Sequence, residues 1–209
     1  MQHEQHDPTR LPSDLPAPVD DGASDHLPGL RVPPIALPAT DGREIRLDTA
    51  PPHNGPSDTG PHTERWVVYA YPRTGVPGEE PLTPDWDAIP GARGCTPESC
   101  GFRDHAADLR AAGAAVAGLS TQDTAFQQEL ATRLHLPFPV LSDHDLALTR
   151  ALRLPTFEVA GQTLLHRLTM VIHRGVVEHV FYPVFPPDGH AAEVLAWLSD
   201  PAVAPPDPA

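Results

Sequence analysis

Cys95 and Cys100 stand five residues apart in a chain of 209 residues that holds no other cysteine. Two cysteines cannot staple a chain of this size, so their value is chemical. Cys95 precedes Thr96-Pro97-Glu98, which reads as a helix start: an N-cap hydroxyl, a Pro at the first helical position and an early acid. Unpaired N–H groups and the positive end of the helix dipole favour an anion there. Thiols so placed have pKa values lowered from about 8.5 into a range of roughly 3.5–7.5. Cys95 is therefore expected to be a nucleophilic thiolate, the alternative being an ordinary loop cysteine. If both cysteines shared one helix, a rise of about 1.5 Å per residue would hold their Cα atoms roughly 8–9 Å apart. That exceeds the ~7 Å limit for a disulfide. A bond between them then requires the first turn to unwind, which makes the disulfide a transient state. The competing chemistry is a metal held by Cys95, Cys100 and His105, and positions five and ten residues on scatter such ligands around a helix axis.

The elements that must position these residues follow from periodicity. Ile35-Ala36-Leu37 and Glu44 to Leu47 flank the turn dipeptide Asp41-Gly42, which predicts a hairpin. Trp66 to Tyr71 is a continuous apolar run of strand length, expected for a central strand covered on both faces. A loop rich in Gly, Pro and His, Pro51 to Thr63, separates the two. Pro72 to Gly94 shows no periodicity and reads as a long loop, followed by a helix from Thr96 to Gly113 with Phe102, Ala106 and Leu109 along one face. Ala114 to Leu119 reads as a buried strand, Asp123 to Leu136 as an amphipathic helix, Pro139 to Leu141 as a strand and Leu146 to Leu152 as a short helix. Leu168 to Ile172 and Val176 to Phe181, joined through Arg174-Gly175, read as a hairpin, and Ala191 to Leu198 as a closing helix. The alternation predicts an α/β class, a central mixed sheet flanked by helices in a thioredoxin-like fold.

Composition narrows the function. The 28 Asp and Glu outnumber 14 basic residues, for a net charge near -14, which repels phosphate backbones and anionic headgroups. Nucleic acid is not expected as a partner, and neither is a membrane, because the apolar runs fall far short of the ~20 residues a spanning helix needs. Every basic residue is Arg, which excludes lysine chemistry. With 28 prolines and no periodicity, residues 1–28 and 201–209 are expected to be disordered tails around a domain at 29–200. His3, His6 and His26 lie irregularly in the first of these and are assigned no metal. The start shows no secretory signal, which places the expected location in the cytoplasm.

The segment Gly94-Cys95-Thr96-Pro97-Glu98-Ser99-Cys100-Gly101-Phe102-Arg103-Asp104 resembles the active-site segment of the peroxiredoxins. Within that family it is most similar to the Q-type subgroup, also called bacterioferritin-comigratory protein, whose second Cys also follows five residues after the first. The likeness runs from about Val32 to Leu198 and includes IALPATDGREIRL, AAVAGLST and LHLPFPVLSD. The resemblance implies a thiol-dependent peroxidase without a cofactor: Cys95 peroxidatic, Cys100 resolving, a thioredoxin-like dithiol as reductant. It also implies that Arg167, at the position of the family's active-site Arg, stabilises thiolate and peroxide, where otherwise it would make a surface ion pair. Pro72, Thr74 and Thr96 are candidate pocket residues.

One departure is plain. The family pattern P-x-x-x-T-x-x-C starts at Pro72, yet Glu79 stands where the Cys belongs and residues 79–94 intervene. The Thr position falls on Val76, or on Ala92 when counted back from Cys95, and neither has a hydroxyl. Thr74 or Thr83, or backbone groups, are the candidates to replace it. The insertion, with Glu79, Glu80, Asp85 and Asp87 around Trp86, reads equally as a cover over the site and as a solvated loop. His105 and Asp104 are expected on a solvated helix face. Two alternatives stay open: a thiol-disulfide oxidoreductase, which more often shows Cys-x-x-Cys, and a redox-sensing module. A monomer is expected, since no C-terminal arm carries a further Cys.

Overall fold

The structure is a computed structural model that describes residues 11–12, 14–52, 63–200 and 202–203. His3 and His6, most of the loop at 51–63 and nearly all of the expected C-terminal tail lie outside the described residues.

The central sheet has five strands in the order β5-β4-β3-β8-β9. At its middle β3 (Arg65–Ala70) runs parallel to β4 (Ala114–Ser120) and antiparallel to β8 (Leu168–His173). On the flanks β5 (Val140–Ser142) continues parallel beside β4, and β9 (Val176–Phe181) pairs antiparallel with β8. The apolar run of β3 divides by period two: Trp66, Val68 and Ala70 enter one core, Val67, Tyr69 and the following Tyr71 the other. Four helices contribute to the second core: α1 (Cys95–Asp104) through Phe102, α2 (Ala106–Ala111) through Leu109, α3 (Thr124–Leu134) through Leu130, and α5 (His190–Leu198) through Val194. On the other face lie Leu148 and Leu152 of α4 (Ala147–Leu152) and the hairpin of β1 (Ala36–Pro38) and β2 (Glu44–Arg46). This is the mixed α/β, thioredoxin-like sheet that the alternation predicts.

Three features differ from expectation. The helix expected to end at Gly113 breaks at His105, whose φ of -99° and ψ of 4° leave the helical region, so that α1 and α2 are separate. A hairpin of β6 (Thr156–Val159) and β7 (Gln162–Leu165) was not foreseen; it turns through Ala160 and Gly161, both at positive φ. The described part of residues 1–28 is also no free tail. Leu27 is fully buried in the first core, the His26 ring nitrogen Nε2 lies 2.9 Å from the Leu152 carbonyl, and the Tyr182 hydroxyl donates to Asp21 at 2.9 Å. Apolar burial of Leu27 holds a segment whose composition alone suggested solvation.

Candidate active site

Cys95 is the first residue of α1, so the helix starts two positions earlier than the Thr96 cap and Pro97 start expected from sequence. The N-cap is Gly94 at φ 106°, a left-handed conformation that glycine adopts without penalty. A Cβ there would stand 2.4 Å from Cγ of Pro187, so the approach of the segment after β9 also demands glycine. Cys95 and Cys100 are both free thiols on one helix, Cys95 buried and Cys100 half-buried.

Arg167 enters from the residue before β8 and is 3% exposed. Its Nη2 lies 3.2 Å from Cys95 Sγ and also donates to the carbonyls of Arg93 (3.1 Å) and Gly91 (3.3 Å). The inserted segment thus supplies acceptors that orient the guanidinium. Its Nη1 donates to Glu98, three residues after Cys95 and fully buried. Residues three apart share a helix face, and that is how one guanidinium reaches both acids.

One positive charge therefore serves two acids, and their titrations are coupled. Burial pushes the Cys95 thiol up, Arg167 pulls it down, and the Glu98 carboxylate pushes it up again; the net direction is upward. This corrects the lowered pKa expected from the helix terminus alone. Burial also raises Glu98, to about 7 against the ordinary 4.5. Near neutrality Glu98 then passes from carboxyl to carboxylate beside a Cys95 that is still a thiol, and the carboxylate form opposes the thiolate.

Replacing Glu98 by Gln removes the carboxylate that opposes the Cys95 thiolate. Glu98→Gln is expected to lower the Cys95 pKa, read from the pH dependence of ultraviolet thiolate absorbance. It also carries a stability signature. A carboxyl raised in the folded state stabilises fully below its unfolded pKa and loses that contribution as pH rises through the folded value. Wild type should lose up to about 3 kcal/mol between roughly pH 4.5 and 7 from this group, at 1.36 kcal/mol per unit. Denaturant titrations of Glu98→Gln should be flatter over that window, and an unchanged slope would remove Glu98 from the triad.

The other expected pocket residues are placed as follows. Thr74 and Thr96 are buried and line a cavity that opens on Cys95, together with Arg73 and Val76. Pro72 is buried but not part of that lining. Gln122, not foreseen, clamps Thr74: its Oε1 accepts from the Thr74 N–H (2.9 Å) and hydroxyl (3.2 Å), and its Nε2 donates to the Thr74 carbonyl (3.2 Å). The clamp holds the chain just after β3, next to Arg73, whose backbone N–H helps to pull the Cys95 thiol down. Ala92, the other candidate Thr position, accepts from Cys95 Sγ through its carbonyl at 3.5 Å. A backbone carbonyl thus meets the sulfur at one of the two positions where the family pattern would put a Thr.

His105 turns its Nδ1 back to the Gly101 carbonyl at 2.9 Å, and Asp104 pairs with Arg103 at 2.8 Å, so neither faces Cys95. Among the described residues no three His, Cys, Asp or Glu cluster as a metal site would require, and no helix is long and apolar enough to cross a membrane.

The Redoxin family profile matches residues 29–196. The chain belongs to the Redoxin family. Its likeness within it is to the Q-type peroxiredoxins, as the Cys95 segment implied. It is 29% identical over 172 residues to "Peroxiredoxin Bcp" of Escherichia coli strain K12, covering 80% of this chain and 92% of that one. It is 33% identical over 133 residues to "Peroxiredoxin Q, chloroplastic" of Oryza sativa subsp. japonica; the match spans 63% of this chain and about half of that relative, 53%. Among solved structures, peroxidoxin BcpB from Mycobacterium tuberculosis superposes with a TM-score of 0.60 at 26% identity, covering 83% of this chain and 97% of that one.

Proposed function

We propose that this Redoxin family member is a thiol-dependent peroxidase in which Cys95 attacks the peroxide and Cys100 resolves the product. The observation that carries the reading is the Arg167 guanidinium 3.2 Å from Cys95 Sγ, while Cys95 itself lines a cavity that opens on the sulfur. The Cys95 thiolate attacks one peroxide oxygen; a sulfur–oxygen bond forms, the oxygen–oxygen bond breaks, and hydroxide or an alkoxide leaves and takes a proton. Cys95 becomes a sulfenic acid, and sulfur gives up the two electrons that the peroxide gains. The leaving oxygen develops negative charge, and Arg167 together with the Arg73 N–H are donors already aimed at the reacting centre.

Cys100 then attacks the sulfenic sulfur and expels water as the disulfide forms. Both cysteines belong to α1, so roughly 8–9 Å between Cα atoms must close below ~7 Å, and the first turn has to unwind. An external dithiol of the thioredoxin kind restores both thiols by exchange and leaves as its own disulfide. Such a cycle suits a reducing compartment, which agrees with a cytoplasmic location. The close-spaced Cys-x-x-Cys of exchange enzymes is absent, which weighs against the oxidoreductase alternative.

The test is stopped-flow oxidation of the reduced chain by hydrogen peroxide, followed by Trp fluorescence. Wild type should react orders of magnitude faster than free cysteine, Cys95→Ser should be inert, and Cys100→Ser should accumulate a dimedone-reactive sulfenic acid. Oxidation of wild type at the rate of free cysteine overturns the peroxidase reading and favours a redox-sensing module.

A further inference from the structure

The insertion at 79–94 is a built wall. Trp86 and Ala92 form a small third core with Leu164 of β7, and Leu82 and Ile89 pack onto it beside Phe157 and Val159 of β6. The unforeseen hairpin is thus the support on which the insertion rests. On its other side the same segment faces the sulfur. Pro81, Leu82 and Trp86 from the insertion, with Val76 before it and Phe126 of α3, wall the cavity that opens on Cys95. Arg73, also in the lining, lies over the Phe126 ring, 4.9 Å from its centroid.

The size of that space decides what enters. The cavity is about 60 Å³, and a single water needs about 10–15 Å³, so it takes roughly four to six water-sized groups. Hydrogen peroxide fits, as does a hydroperoxide with a short alkyl chain. A phenyl ring is larger than that space and meets the wall of Leu82 and Trp86 on the way in. Cys95 is 3% exposed, so with α1 folded the peroxide has to come through this space.

Resting on the peroxidase reading above, we propose that the 79–94 insertion, through Leu82 and Trp86 facing Val76 and Phe126, is a size filter. It admits hydrogen peroxide and short alkyl hydroperoxides to Cys95 and shuts out bulky aromatic ones. The discrimination belongs to the wall and not to the reacting groups, because Arg167 and the Arg73 N–H contact the peroxide oxygens whatever the alkyl group is.

The experiment compares second-order oxidation rates of the reduced full chain by hydrogen peroxide, ethyl hydroperoxide and cumene hydroperoxide. In wild type, cumene hydroperoxide should be the slowest of the three by at least about ten-fold, the discrimination that a misfitting group or two in an apolar pocket provides. Leu82→Ala and Trp86→Ala should each raise the cumene-to-hydrogen-peroxide ratio by about ten-fold or more. Val76→Phe, which fills space, should lower the ethyl-to-hydrogen-peroxide ratio, and this reading survives if Trp86→Ala releases the whole wall. The filter is overturned if wild type consumes all three at similar rates, or if the ratios are unchanged in folded Leu82→Ala and Val76→Phe. A chain no more reactive than free cysteine toward all three overturns the peroxidase reading itself, and the filter falls with it.

Discussion

Arg167→Ala is expected to slow oxidation of Cys95 by hydrogen peroxide by about 10²–10³-fold, the usual effect of removing one donor aimed at a developing oxyanion. Two losses combine. The thiolate loses its buried counter-charge, so the Cys95 pKa climbs further, and the leaving oxygen loses a donor. A third effect must be separated from these. Without Arg167 the buried Glu98 is left unpaired, and breaking a buried pair costs about 3–5 kcal/mol. The double variant Arg167→Ala with Glu98→Gln should recover much of that stability in denaturant melts and almost none of the rate. Recovery of the rate together with the stability would show that Arg167 acts only by holding Glu98, and its place in the chemistry would be lost.

Phe102→Ala should cost as much stability as the loss of that buried pair, by a different route. The ring is fully buried in α1, stacks on Tyr69 with centroids 4.4 Å apart, and meets His190 of α5 edge-on at 5.7 Å. Truncating such a side chain costs about 3–5 kcal/mol, the transfer of the lost atoms plus the cavity left behind. Because the ring ties α1 to the sheet just after Cys100, the variant should also loosen the helix that must unwind before the disulfide forms. Amides of α1 should exchange faster with solvent, and the step from sulfenic acid to disulfide should accelerate relative to wild type. A loss under about 1 kcal/mol in chemical denaturation would mean that α1 is anchored elsewhere.

What could be read in advance depended on how local the signal was. The runs at 66–70, 114–119 and 168–172, which form most of β3, β4 and β8, are buried almost throughout and apolar except for Thr169, so no partner had to be known to find them. The hairpin of β6 and β7 was missed because Ala160, unlike Asn or Gly, gives no hint that it occupies a left-handed turn position. Nothing between Cys95 and Gly113 forbids one continuous helix, and the break shows only in the backbone angles of His105. At the site, the cysteines declared themselves by type and spacing, whereas Arg167 came only with the family likeness. Glu98 passed as an ordinary first-turn acid, and nothing local distinguishes it from one that faces solvent. Gln122 and the cavity wall join segments dozens of residues apart, which no periodicity can reveal.

The N-terminal strap changes where this molecule begins. The family profile starts at residue 29, but the folded unit does not: Leu27 sits fully buried two residues upstream, and Ser24 is buried with it. Further back, Pro18 lies against Gly91, and Leu11 approaches Gly94, the residue that starts the cysteine helix. Family boundaries mark what relatives share, whereas physical boundaries mark what the core needs filled. In this chain the two disagree, and the surplus runs beside Gly91 and Gly94, so cutting the chain at the profile boundary strips contacts from the start of the cysteine helix.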